Sequence, residues 1–588
     1  MLYCTIKDNF DPKDQSILPL DGLEVDYSIH LEQIPTEKVI LKKNGDKPFE
    51  NRFSLPASPE DSQSPLCTVV RVGNREVEGK LAVTGTAFTA WLDGANKPLT
   101  LDFKELRAHL DRVKGDHLAA LVIFGAPGTV IENQVFNGTG IRILDSPYSV
   151  VRNNTVTNVS DPSDDGLVSA IYLSNSNHSV IENNSISNVT SSISGTSVHG
   201  ICLMDSDHST VKNNSISNLS ASITCDLDDA DSISVDAHAR VRGIYLATSI
   251  NSSVSFNSVS NITVSARASA KGGYTEAKAY SDTSGIYIAS SGNLTLISNF
   301  VNGLSASART ASGYGDAGAN ASGFHLINCD HFSINSNTVD KISTSVKARY
   351  IYANARASTH GVKISDSNHS TLNSSTISNL VATSSSTTSA DAGVYGIYMT
   401  TSSETTLGSN RINNLTSDAE ASRFNSIHAR THGIYLVNNG NSLITANTII
   451  NLTTKASQSA YSDVAPVVSA WTCGIQVTAK NYTTINYNHI ISLYAIARAY
   501  IKAEASVYAI RVVTSSQSEI DSNIIEDLAA EASAASNQTL VQAISNIKNS
   551  KEAARGWTAI IFFSSMMGLW ISRCNRRDYN QCKKNMKD

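Results

Sequence analysis

Ala170–Val189 reads AIYLSNSNHSVIENNSISNV, and Gly200–Leu219 reads GICLMDSDHSTVKNNSISNL. Laid over one another, the two stretches agree in character at almost every place. Aliphatic residues stand eleven after each origin (Ile181, Val211) and sixteen after it (Ile186, Ile216). Asn stands fourteen after it (Asn184, Asn214). Working outward, the same block returns from Gly140, Gly243, Gly285, Gly323, Gly361, Gly396, Gly433, Gly474 and Ala509, with Ser375 the one exception to the Asn. Each block holds short apolar-polar alternations broken by Asn/Ser/Asp turns. Period two means strand, and the runs are too short for helix. One such unit cannot bury its apolar face alone, but stacked units can, so a fixed repeat of this kind is a solenoid.

Stacking in parallel register places each aliphatic over its counterpart about 4.8 Å away, in continuous internal columns. The Asn column is expected at a sharp turn, where Asn tolerates left-handed backbone angles, and stacked amides can hydrogen-bond as a ladder. Over about residues 119–528 this combination resembles the right-handed parallel β-helix family, the pectate-lyase-like group with PbH1-type repeats. The expected fold is all-β: a right-handed parallel β-helix of about twelve coils. Residues 1–118 are expected as an irregular cap, 119–548 as the solenoid, and 549–588 as a C-terminal helix.

Copies differ in length at one place only. Gly140 to Ala170 is 30 residues and Gly200 to Gly243 is 43, yet the first nineteen after each origin keep their spacing. All insertions therefore leave from one flank. Ser265-Ala266-Arg267-Ala268-Ser269-Ala270 alternates small and variable residues. Strands with Ala on one face can pack very closely, so each insert is expected to run out and back as a thin two-layered fin. Ala266, Ala268, Ala497 and Ala499 would face inward.

The net charge of −6 in 588 residues argues against a nucleic-acid binder. Eight scattered Cys make neither a zinc site nor a disulfide framework. No apolar run follows the first residues as in a signal peptide. Trp557 to Ile571 is apolar and is followed by Arg573, Arg576, Arg577, Lys583, Lys584 and Lys587. This reads either as a membrane anchor with a cytoplasmic basic tail or as a cap over the last coil; spanning needs about 20 residues. A surface or extracellular location is expected.

Family resemblance implies action on acidic or neutral polysaccharides from a groove along one outward sheet face. Two after each origin stand Arg142, Tyr172, Cys202, Tyr245, Tyr287, His325, Lys363, Tyr398, Tyr435, Gln476 and Arg511. Aromatic rings flanked by cations suit sugar stacking and carboxylate pairing. The candidate glycan-binding residues are Arg142, Tyr172, Tyr245, Tyr287, Lys363, Tyr398, Tyr435 and Arg511. Tyr is also a favoured strand residue on a half-exposed face. No adjacent copies put two acids at this position, which argues against a general acid with a partner base. No cofactor is expected, calcium being the one cation considered. Asp226, Asp228, Asp229 and Asp231 could hold it through closely spaced oxygens, or form a solvated loop. His178 and His208 stack on adjacent copies, as do His331 and His369, the pattern of a metal-holding pair or of plain turn residues. His199, His360 and His432 each precede an origin Gly, on copies that are not adjacent.

The expectation is a non-catalytic surface solenoid that binds glycans or self-assembles, with polysaccharide or other envelope components as partners. The alternative is a carbohydrate-active lyase, hydrolase or epimerase on an extended, possibly uronic-acid polymer.

Overall fold

The computed structural model describes residues 120–160, 167–227, 234–270, 276–311, 314–348, 353–422, 426–460, 467–479, 482–513 and 518–534, with strands at 3–7, 26–30, 38–39, 53–54, 67–72, 75–84 and 87–92. These residues are strand, turn and bend throughout, with no helix among them. The expected C-terminal helix and the apolar run 557–571 lie outside the described residues. The architecture is the right-handed parallel β-helix. The chain divides into two compact units: Met1–Ser191 with Ser197–Leu219 and Ile244–Ser258, and Ser192–Thr196 with Ser220–Gly243 and Val259–Asp588.

Each turn contributes one strand to each of three parallel sheets. In unit 1 the first sheet pairs Ile141 with Leu121 and Ile171, and Ile171 with Ile201. The second pairs Val151 with Ile131 and Ile181, Ile181 with Val211, and Val211 with Val254. These side chains are fully buried, as the repeat register requires. Second-sheet strands count the turns. Among the described residues unit 1 has five, at Val130–Glu132, Val150–Arg152, Val180–Glu182, Thr210–Lys212 and Ser253–Ser255. Its first sheet begins with antiparallel strands Cys67–Val72, Arg75–Thr84 and Ala87–Leu92, the last running parallel to Ala120–Phe124.

Among the described residues unit 2 has seven turns, at Thr295–Ile297, Ser333–Asn335, Thr371–Asn373, Thr406–Gly408, Ser442–Thr445, Thr483–Asn486 and Ser518–Asp521. The expectation of one solenoid of about twelve coils is corrected accordingly: the repeats fall into two compact units, and the larger has seven turns.

The Asn ladder is present, but its cause is not a left-handed turn. In unit 1, Asn154 Nδ2 donates to Asn184 Oδ1 at 3.1 Å, Asn184 to Asn214 at 2.9 Å, and Asn214 to Asn257 at 3.0 Å. The left-handed residue is the one before, with positive φ at Asn153, Asn183 and Asn213 in unit 1, and at Ser298, Ala446 and Tyr487 in unit 2. The ladder Asn is buried and bonds the backbone too: Asn184 Nδ2 also donates to Val151 O at 2.9 Å. Buried backbone groups at the turn need partners, and the amide supplies both donor and acceptor. In unit 2, Ser375 fills the gap: its Oγ accepts from Asn337 N at 3.3 Å, while its N donates to Asn410 Oδ1 at 3.0 Å. A serine ladder, not anticipated from the repeat, does the same at another turn of unit 1. Ser146 N donates to Ser176 Oγ at 3.2 Å, and Ser176 N to Ser206 Oγ at 3.1 Å.

The inserts form the expected fin. In unit 2 the outgoing strands extend the third sheet and the returning strands extend the first, so each strand pairs with neighbouring coils rather than with its own partner. Ala266, Ala268, Ala277 and Ala279 are buried between the two layers. Ala497 is buried and Ala499 half-buried. Hydroxyls tie the layers near the solenoid: Thr344 Oγ1 to Thr359 Oγ1 at 2.8 Å, Ser417 Oγ to Thr431 Oγ1 at 2.8 Å, and Thr472 Oγ1 to Thr454 Oγ1 at 2.7 Å.

Candidate functional site

The returning strand of each insert runs on into the first sheet and turns a corner at the origin glycine. In Glu276–Ala289 burial alternates along the fin, then Thr283, Ser284, Gly285 and Ile286 are buried in succession, then alternation resumes. That change of parity is the corner. Its inner side has no room for a Cβ: one built on Gly323 would lie 2.5 Å from Val339 Cγ1 and 2.6 Å from Gly361 O. Outside the corner, the residue before the glycine and the residue two after it converge. One strand thus supplies two walls, the fin and the solenoid.

In unit 2 the walls meet as an aromatic seam. The His432 and Tyr435 ring centroids are 4.7 Å apart, and those of Tyr395 and Tyr398 are 5.2 Å apart. Tyr395 stacks between His360 at 5.1 Å and His432 at 5.2 Å. Arg511 lies 4.3 Å over Trp471, and Arg242 3.8 Å over Tyr287. Tyr287 therefore has one face covered. Tyr398, Tyr435, Lys363 and Arg511 are half-buried and line the seam. In unit 1, Arg142 sits 4.7 Å over Tyr172, which is only 9% exposed, and Tyr245 meets His199 edge-on at 5.0 Å. The eight stripe residues are thus divided, with Arg142, Tyr172 and Tyr245 in unit 1 and the other five in unit 2.

His360 and His432 stand on non-adjacent copies, yet Tyr395 joins them in one stack. The signal was in the sequence: Tyr395 precedes Gly396 as His360 precedes Gly361. His360, Tyr395 and His432 thus form one continuous column.

Burial sets the charge of the seam. His432 is pushed down to about 3 by burial, with its Nε2 3.2 Å from Gln476 Oε1. His325 also lies at about 3, held there by burial and by Lys363 and Arg242. His360 is well below its ordinary value for the same first reason. All three are neutral at pH 7. Burial lowers the Lys363 ammonium, opposed by Asp282. It raises Tyr398 and Tyr435, and Tyr395 to about 12. His325 Nε2, His360 Nδ1 and His432 Nδ1 are buried without a hydrogen-bond partner.

Acids do reach this corner, because the variable flank is one of its walls. Asp282 and Asp391 lie on the outer-facing register of the returning strands. The position two after each origin carries no acid in adjacent copies, whereas the fin wall does carry acids. Of the proposed calcium ligands, Asp226 is exposed, and Asp228, Asp229 and Asp231 lie outside the described residues. The turn histidines stack as the repeat predicts, His178 on His208 at 4.7 Å in unit 1 and His331 on His369 at 4.7 Å in unit 2. His369 Nε2 is 2.8 Å from Glu404. No group of three His, Cys, Asp or Glu side chains suited to a metal occurs among the described residues.

Residues 113–225 match the family model described as periplasmic copper-binding protein (NosD). No curated protein matches. Among solved structures, the Azotobacter vinelandii mannuronan C-5 epimerase AlgE4 A-module is 11% identical with a TM-score of 0.21, over 72% of this chain and 91% of that one. The periplasmic alginate epimerase AlgG is 11% identical with a TM-score of 0.18, over 78% and 85%. At these scores neither likeness carries an argument about function.

Proposed function

We propose that unit 2 binds an extended glycan along the seam between fin and solenoid, without turning it over. One observation carries this reading: half-exposed Tyr398 and Tyr435 stand on consecutive coils, between Lys363 on one side and Arg511 on the other. Coils repeat at about 4.8 Å, a step close to that of sugar units in an extended chain. The two rings lie 5.6 Å apart and edge-to-face, so together they offer a continuous aromatic contact surface for successive sugars, and the flanking cations offer partners for carboxylates. The neutral buried histidines back the tyrosine rings without adding charge to the seam.

A glycan array compares the parent with Tyr398→Ala/Tyr435→Ala. Two lost stacking contacts at about 0.5–1.5 kcal/mol each predict roughly tenfold weaker binding. Equal binding by both proteins removes the seam from consideration. The turnover reading rests on a different observation, Asp282 acting electrostatically on a partly desolvated Lys363 beside neutral His325. Chain cleavage or epimerised product from the parent, lost in Lys363→Met, would make it the better one.

The matched family model is described as periplasmic, which supports a place in the cell envelope or outside it. It is also described as copper-binding. The described residues of the matched stretch do not fit that ion: His178 and His208 meet face to face, and no third donor joins them. No copper step is proposed. No helix among the described residues is long and apolar enough to cross a membrane.

A further inference from the structure

The last described turn of unit 2 differs from the described turns before it in that unit. In the preceding turn Ile475, Val477, Ile485, Ile490 and Leu493 are fully buried. Of their register partners, Ile510 stays buried, but Val512, Ile520, Ile525 and Leu528 are only half-buried, and Ile524, beside Ile525, is 55% exposed. Four of the five aliphatic columns are thus partly uncovered at the last described turn. Exposed apolar ends of parallel sheets invite association and are covered in stable proteins.

The same turn is acidic. Glu519, Asp521, Glu526, Asp527 and Glu531 are all exposed. Four of their register partners one turn earlier are Thr484, Asn486, Ile491 and Ile496, all uncharged. Arg498 lies 3.7 Å from Glu531 and His489 3.9 Å from Glu526, so the local cations are few.

We propose that Trp557–Ile571 of the same chain covers this end, its basic continuation pairing with the acidic rim. The chemistry matches on both counts. Trp557, Ile560, Ile561, Phe562 and Phe563 are apolar, and Arg573, Arg576, Arg577, Lys583, Lys584 and Lys587 follow at once. Residues 535–556 join Ala534 to the segment; 22 residues span roughly 25 Å even as a random chain, enough to return over one coil end. At 15 residues the apolar run falls short of the about 20 a membrane span needs. An acidic rim would also repel an anionic bilayer.

Photo-crosslinking of the full-length chain tests this. A benzoylphenylalanine in place of Ile524 should yield adducts within 557–571 at the mass of one chain. Charge reversal by Arg576→Glu/Arg577→Glu should cut that yield at least fivefold at low salt, and Glu519→Lys/Glu526→Lys should restore it. Adducts at twice the chain mass would mean that a second copy covers the end. Adducts only to lipid, with added phosphatidylglycerol vesicles, would mean a membrane-directed segment. Either result, or absence of adducts in 557–571, overturns the proposal. The crosslink with an unaltered tail stands even if a charge-reversed variant folds poorly.

Discussion

Single residues in this protein are chosen by what the coil above or below allows. Gly323 illustrates it. A Cβ there would meet both a valine methyl and the carbonyl of the next origin glycine, and the carbonyl cannot move without disturbing the sheet. Gly285, Gly361, Gly396, Gly433 and Gly474 face the same geometry, so glycine recurs for closeness of approach and not for left-handed φ. Ala509 belongs to the last described turn and meets no following origin carbonyl among the described residues. We expect Gly323→Ala to destabilise unit 2 by about 1–3 kcal/mol, the usual range for overpacking. Urea unfolding measures this; an unchanged midpoint would show that the corner yields more easily than its distances suggest.

At the scale of elements, the fin depends on how near two sheets can come. Ala266 and Ala268 on the outgoing layer and Ala277 and Ala279 on the returning one are all buried, each with a single methyl as its side chain. Such thin layers bury little apolar area per residue, so hydroxyl pairs such as Thr344–Thr359 add stability where the layers join the solenoid. Ala268→Leu should force the layers apart and cost about 1–3 kcal/mol. Hydrogen exchange should rise in Val264–Ala268 and Ala277–Thr283, while the aliphatic columns at Leu296 and Val301 stay protected. Equal loosening of both regions would mean that fin and solenoid unfold as one cooperative unit.

Taken as a whole, unit 2 has a stability that depends on pH through its seam. His325 and His432 have folded values near 3, against 6.5 when unfolded, because burial disfavours the imidazolium. The unfolded chain therefore binds more protons between those values, and stability increases with pH there. Their contribution is complete above about pH 6.5 and is lost as pH falls toward 3. Each histidine should contribute roughly 1 kcal/mol per pH unit in that window. Melting temperature should be flat above pH 7 and fall on acidification, with a shallower fall in His432→Gln. A profile that does not change in that variant would assign the acid sensitivity to other groups.

The fold was legible because a solenoid is a local code repeated. Every columnar contact joins residues at the same place in neighbouring copies, so spacing alone identified Val151, Ile181 and Val211 as one buried column. Ala alternation located the fin for the same reason. The Asn column is a ladder in sequence and structure alike, but the left-handed residue of the turn stands one place earlier. An offset of one place cannot be seen until backbone angles are known. The site was harder, because it forms where one strand bends. A repeat table treats the residue before each glycine and the residue two after it as separate columns on opposite faces. The corner at the glycine shifts the alternation by one, puts both on the same side and brings His432 within 4.7 Å of Tyr435. Sequence periodicity determined which residues stack along the axis. Only tertiary structure decided which columns meet across it, because a change in strand direction leaves the spacing of residues in the chain untouched.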